Sequence, residues 1–219
     1  MPKVDWEKAV QPLLKKYKNK KHPLEYRNLY ELLVVVIISA QGVDKIINEM
    51  ATKLFKAYPT MESLSRASVD DLNPYIGKLR SFFKKAEWII RIAQQLKEEK
   101  NIPLTMEELV KLPGIGRKSA NVILREAKIK PEGIIVDIHV LRVAPRIGIA
   151  KGDDAVDIEK QLMKKLPEKD WDIGMAMSFL GREICRPTDP EHEKCLMKGV
   201  CGYYDKLPGK KQSAKKPKV

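Results

Sequence analysis

The spacing of apolar residues along the chain predicts helices almost throughout. Trp6, Val10, Leu13, Leu14 and Tyr17 recur at helical intervals over residues 4–18. Leu29–Ala40 is the most apolar segment, and Val34-Val35-Val36-Ile37-Ile38 within it is a β-branched run that would also suit a buried strand. Helical patterns flank it and no second strand of comparable strength is present to pair with it, so the expectation is a buried helix. Further helices are expected over 44–58, 69–79 and 84–100. Ser68 and Asp71 frame the second of these as a capping box, and Trp88, Ile89, Ala93 and Leu96 line one face of the third. Toward the C-terminus the pattern predicts helices over 136–147, over 153–166 with Val156, Leu162, Met163 and Leu166 inward, and over 172–185 with Ile173, Met177, Leu180 and Ile184 inward.

The middle of the chain departs from plain amphipathicity. Thr105-Met106-Glu107-Glu108-Leu109-Val110-Lys111 reads as a short helix that Thr105 can cap, with Glu108 reaching back. Leu112-Pro113-Gly114-Ile115-Gly116 ends it, and the two glycines allow backbone torsions that other residues avoid. A second helix is expected from Arg117 through Ala127, with Ala120, Val122, Ile123, Leu124 and Ala127 as candidate core positions. A helix, a Gly-x-Gly hairpin and a second helix present backbone N–H groups at a positive helix end, which is one way a chain grips phosphate. Lys118 falls in the first turn of the second helix, where the dipole disfavours an ammonium and favours a neutral, nucleophilic amine. Asp137 follows nineteen residues later at the end of the apolar run Gly133-Ile134-Ile135-Val136, and a buried carboxylate needs partners or a task. Taken singly, Lys118 reads as a phosphate contact and Asp137 as a helix cap or ion-pair partner. Arg142 and Arg146 are available to pair with that acid or with phosphate, and His139 reads as a packed, hydrogen-bonding residue.

Together these residues carry a resemblance. Leu112-Pro113-Gly114-Ile115-Gly116-Arg117-Lys118-Ser119-Ala120-Asn121 followed by Val136-Asp137-Ile138-His139 resembles the helix-hairpin-helix DNA glycosylases of the endonuclease III family, over roughly Leu24 to Tyr204. The resemblance implies an all-α, two-lobed fold with a C-terminal metal-cluster loop. One lobe would be a helical barrel over 24–130 carrying the hairpin. The other would combine 1–23 with 131–204, and a basic tail over 205–219 would be disordered. It places Lys118 and Asp137 where the family has its catalytic pair, and Gly114, Gly116 and Arg117 on the DNA backbone. Ser39-Ala40-Gln41 is similar to the family segment whose glutamine fills the gap left by an extruded base; on its own Gln41 is a polar loop residue. The implied activity is base-excision repair by a glycosylase with abasic-site lyase chemistry on damaged pyrimidines. The rival readings are a monofunctional adenine or alkyl-base glycosylase and a non-enzymatic helix-hairpin-helix DNA-binding protein. Gly77–Ala86, by contrast, fits the family's Gly-Leu-Tyr-Asn-x-Lys-Ala wedge pattern poorly, since Arg80-Ser81-Phe82-Phe83 replaces most of it. Phe82 or Phe83 is the candidate aromatic prop.

Composition sharpens this picture at two points. The formal net charge of +13, from 42 basic against 29 acidic residues, favours an anionic partner. Double-stranded DNA with a damaged base or abasic site is the one the resemblance implies, bound by a monomer in the cytoplasm at the nucleoid. The first apolar stretch lies too late and too mixed with charge for a signal peptide, and nothing reaches membrane-spanning length. The three cysteines cluster near the C-terminus, which argues against a secreted disulfide scaffold. They read Cys185-x6-His192-x2-Cys195-x5-Cys201, close to the family's Cys-x6-Cys-x2-Cys-x5-Cys iron–sulfur loop with His192 in place of the second cysteine. A four-iron, four-sulfur cluster is the expected cofactor, with a Cys3His zinc site as the runner-up and a metal-free loop third. Lys194 and Lys198 alternate with the ligands and are candidates for the DNA backbone.

Overall fold

The computed structural model describes residues 4–205, and all regular structure among them is helical. In chain order the helices are α1 (Trp6–Ala9), α2 (Gln11–Tyr17), α3 (Leu29–Ile38), α4 (Asp44–Ala57), α5 (Met61–Ser65), α6 (Val69–Ile76) and α7 (Phe82–Leu96). There follow α8 (Met106–Leu109), α9 (Arg117–Glu126), α10 (Ile138–Ile147), α11 (Ala155–Lys165), α12 (Ile173–Glu183) and α13 (Gly202–Asp205). The chain divides into two compact units. One spans Lys21–Glu132; the other joins the N-terminal segment up to Lys20 with the chain from Gly133 onward. The expected tail lies, from residue 206, outside the described residues.

The unit from Lys21 to Glu132 is built on α3. Tyr30 through Ile38 are all buried, so the β-branched run folds as a helix packed on every face. Asn28 caps its first turn by accepting from the Glu31 amide, and Glu31, itself buried, accepts from the Arg27 backbone and guanidinium. Around it pack α4, α7 and α9, with α5 and α6 set against α7. Ser68 and Asp71 close the expected capping box of α6, and Thr60 with Ser63 closes another at α5. α7 starts at Phe82, two residues earlier than the apolar pattern indicates. Its N-cap, Ser81, takes a left-handed conformation at φ 59°. Thr105 caps α8 through the Glu108 amide, but Glu108 does not reach back; its carboxylate pairs with Lys111 at 2.5 Å instead.

In the other unit α10 packs chiefly on α12, and α2 lies on α12 as well. The expected helix over 4–18 is two pieces, α1 and α2, with Pro12 at the start of the second, where its missing N–H costs least. Val10, Leu13 and Tyr17 are buried as the spacing indicates. In α11 the buried positions are Ile158, Glu159 and Leu162; Val156, expected inward, is 48% exposed. A row of small residues on α12 sets the packing. A Cβ on Gly174 would fall 2.4 Å from the Ile135 carbonyl oxygen, and one on Gly181 would fall 2.7 Å from the His139 Cβ. Only glycine lets the backbone on either side of Asp137 come this close.

Candidate active site and cluster loop

The hairpin between α8 and α9 depends on one glycine rather than two. Gly114 has φ 78°, and a Cβ there would lie 2.5 Å from Cε3 of Trp88 on α7. It is therefore held to glycine both by torsion and by space. Gly116 has an ordinary extended conformation, φ −95° and ψ 175°, with nothing near its missing Cβ. It serves as the N-cap of α9 and leaves the first turn without a side-chain cap or an acidic residue. That end of the helix thus keeps its positive character for an external anion. Lys118 is the second residue of α9 and is exposed. Arg117 is also exposed, and it donates to the Glu132 carbonyl oxygen at 2.8 Å. The amide of the same residue, Glu132, donates to Asn121 Oδ1 at 3.0 Å.

Asp137, in the other unit, is the N-cap of α10. Its Oδ1 accepts from the amides of His139 and Val140, each at 2.9 Å. Its Oδ2 accepts from Ser178 Oγ at 2.5 Å and from Arg182 Nη1 at 3.3 Å. Arg182 also donates to Ser178 Oγ, so the three side chains form one hydrogen-bonded group. Burial pushes the Asp137 carboxyl up. The Ser178 hydroxyl, the Val140 amide and the Arg182 and His139 charges outweigh it and hold the group below the ordinary carboxylate value. Asp137 is therefore a nearly buried carboxylate, 13% exposed, that stays ionised. Its arginine partner is neither Arg142 nor Arg146. Arg142 donates to the carbonyls of Cys185 and Gly181 and lies 3.1 Å from His139 Nδ1; Arg146 donates to the carbonyls of Arg186 and Pro187. Ser178 and Arg182, four residues apart on α12, escape a reading of motifs. The only local trace is the small-residue row Gly174, Ser178, Gly181.

Gln41 sits beyond the end of α3, exposed and in a left-handed conformation at φ 61°. The two wedge candidates separate: Phe82 is 8% exposed and belongs to the core, whereas Phe83 is 67% exposed.

The cysteine loop winds through two short 3-10 turns, His192–Lys194 and Lys198–Val200. Its three cysteines are all free thiols. Arg146 ties it to α10: Nη1 lies 3.6 Å from Cys185 Sγ, and the Cys201 thiol donates to the Arg146 carbonyl at 3.6 Å. Burial pushes the thiols of Cys195 and Cys201 up, and each is raised further by the charge of neighbouring thiols in the loop. The His192 ring lies against Tyr203 and Tyr204, at 5.7 and 5.6 Å between centroids. Among the described residues no three His, Cys, Asp or Glu side chains converge on the point a single metal ion would occupy. Lys194 pairs with Glu191, and Lys198 pairs with Glu193 at 2.7 Å, so both carry carboxylate partners in the unbound chain.

Residues 34–168 match the HhH-GPD superfamily of base excision DNA repair proteins. Endonuclease III of Rickettsia felis is 38% identical over 190 residues, spanning 84% of this chain and 88% of that one. The Haemophilus influenzae endonuclease III is 35% identical over 206 residues, spanning 91% and 97%. This chain belongs to the endonuclease III family. Two solved structures agree with that assignment, a non-covalent endonuclease III–DNA complex and a trapped endonuclease III–DNA covalent intermediate. Each superposes with a TM-score of 0.82 at 33% identity over 91% of this chain, covering 94% and 95% of the respective neighbours. The family fold is the all-helical one expected from the pattern of apolar residues. No helix among the described residues is long and apolar enough to cross a membrane.

Proposed function

We propose that Lys118 is the nucleophile and Asp137 its electrostatic partner in a DNA glycosylase with abasic-site lyase activity. As a member of the endonuclease III family the chain is a base-excision-repair enzyme that acts on DNA, and damaged pyrimidines in a duplex are its substrates. The observation that carries the reading is a lysine in the uncapped first turn of α9, directly after a hairpin that Gly114 closes against Trp88. The target base leaves the stack to be reached. The Lys118 amine attacks the sugar C1′; the N–C1′ bond forms as the glycosidic bond breaks, and its electron pair leaves with the base. Loss of the amine proton and opening of the sugar give an imine. Removal of a C2′ proton then expels the 3′ phosphate by β-elimination.

The hydrogen bonds around Asp137 decide which part of this chemistry it serves. A carboxylate held below its ordinary pKa by four donors is a weak proton acceptor but a fixed negative charge. Its work is to stabilise the positive charge that develops on the sugar. The amides around Gly114 and Gly116 grip the backbone phosphate, and Gln41 enters the space left by the extruded base. Arg117, Lys194 and Lys198 reach phosphate by exchanging their present partners for it.

Cys185, His192, Cys195 and Cys201 hold a four-iron, four-sulfur cluster. The donor set supports this: three thiols and an imidazole stand at the spacing Cys185-x6-His192-x2-Cys195-x5-Cys201 in one tightly turned loop and would supply one ligand to each iron. The cluster supplies a scaffold for the loop, and imine formation at Lys118 needs no metal. The enzyme works as a monomer in the cytoplasm, at the nucleoid.

The test is Asp137→Asn. The variant should fold and bind a damaged duplex while losing at least roughly a hundredfold in base excision, the scale seen when one preorganised electrostatic group is removed. Turnover near the wild-type rate would leave Asp137 as a helix cap alone.

A further inference from the structure

Lys85 is a buried cation in the Lys21–Glu132 unit. It lies in the first turns of α7, is 4% exposed, and its ammonium donates to two backbone carbonyls, Ile38 at 2.9 Å and Ala40 at 2.6 Å. A cation buried on neutral partners is costly, and burial pushes its pKa down. What it holds is the end of α3 and the turn that carries Gln41. The carbonyls there are taken up in sequence. Val35 O accepts from the Ser39 amide, Val36 O from the Ser39 hydroxyl, and Ser39 O from the Gly42 amide at 2.8 Å. Lys85 takes the Ile38 and Ala40 oxygens, at the negative end of the helix, where a cation is favourably placed. Between the last of these oxygens and Gly42 stands Gln41, exposed and left-handed, a conformation that a residue with a side chain keeps only when its surroundings impose it. The same helical turn that supplies Lys85 presents the exposed ring of Phe83, two residues earlier.

We propose that Lys85 is a positioning residue for duplex recognition: its ammonium ties the Ser39–Gly42 turn to α7, so that Gln41 meets the DNA already set. The proposal rests on the reading that Gln41 enters the duplex. It assigns Lys85 no contact with DNA and no part in bond making. Gln41 held in one geometry avoids the entropy of ordering a loop in the complex, and that gain is realised only where there is a base-pair gap to fill.

The experiment is a pair of substrates and a mutant cycle. Lys85→Met keeps the length of the side chain and removes the donors. On a single-stranded abasic oligonucleotide, where no opposite strand leaves a gap, borohydride cross-linking by Lys85→Met should stay within about twofold of wild type. Excision of a damaged base from duplex DNA should fall by at least roughly tenfold. In a Gln41→Ala background, Lys85→Met should then add less than about twofold, because the residue it positions is gone. Full additivity of the two substitutions, or wild-type duplex excision by Lys85→Met, overturns the proposal. If Lys85→Met does not fold, Lys85→Leu, which likewise has no donor for the carbonyls, runs through the same cycle. Failure of the wild-type protein to cross-link even single-stranded abasic DNA would instead strike the reading of Lys118.

Discussion

Ser178→Ala removes the hydroxyl that donates to the Asp137 carboxylate, and with it one acceptor of the Arg182 guanidinium. The hydroxyl is fully buried and 2.5 Å from Oδ2, while the two amides on Oδ1 and the Arg182 guanidinium stay in place. The substitution removes one atom and leaves almost no cavity, so packing contributes little. Loss of a hydrogen bond to a charged acceptor should cost about 1.5–3 kcal/mol at neutral pH. The sign with pH follows from the lowered folded-state pKa. A depressed carboxylate contributes stability fully above its unfolded pKa, near ~3.9, and loses it as the pH falls through the folded value. Ser178→Ala raises the folded value, so the stability difference from wild type should be greatest at pH 7. It should shrink as the pH is lowered through the carboxylate range, toward the ~0.5–1.5 kcal/mol of a neutral hydrogen bond. Urea unfolding midpoints over that range measure it, and a carbon NMR titration of Asp137 reads the carboxyl directly. A wild-type midpoint at pH 7, or a difference that does not change with pH, would refute the view that Ser178 serves the charge.

Gly114→Ala should lose about 1–3 kcal/mol from its left-handed torsion alone, with the Trp88 clash adding to it, in thermal or urea unfolding. Gly116→Ser should keep or raise stability, because serine can cap α9, and yet should weaken DNA binding by occupying amides meant for phosphate. Phe82→Ala should cost about 3–5 kcal/mol as a core truncation. Phe83→Ala should leave the unfolding midpoint unchanged and lower affinity for a damaged duplex, and a thermal melt beside a binding titration separates the two. Protein purified without oxygen should carry iron and sulfide near ~4 each per chain, and His192→Cys should retain them. Stoichiometric zinc without sulfide would replace the cluster with a Cys3His zinc site.

The local parts of this structure were readable from the chain. The run Val34–Ile38 folds as a helix because flanking periodicity outweighs β-propensity, and Ser68 caps α6 as its spacing to Asp71 indicates. The first helix divides because Pro12 suits a helix start better than an interior, a preference weaker than the apolar stripe that hid it. Glu108 leaves the capping box because a lysine one turn on offers a better partner in water. The contacts that condition the candidate site are of another kind. Ser178 and Arg182 reach Asp137 across more than forty residues of sequence, and Lys85 reaches the end of α3 across a similar span. No periodicity encodes such pairs; they exist only once Gly174 and Gly181 let two backbones approach, or α7 packs on α3. Lys194 and Lys198 show the converse. Their charge is plain in the sequence, but whether they face solvent or the carboxylates of Glu191 and Glu193 depends on how the loop turns.

The claim at the centre of this account is that Lys118 forms a covalent bond with DNA. Sodium borohydride added during reaction with an abasic duplex reduces the imine and fixes it, and the product is read as a band of slower mobility and by peptide mass spectrometry. The wild-type protein should give a cross-link that maps to Lys118 and is absent in Lys118→Ala. A cross-link of undiminished yield in Lys118→Ala would contradict the claim.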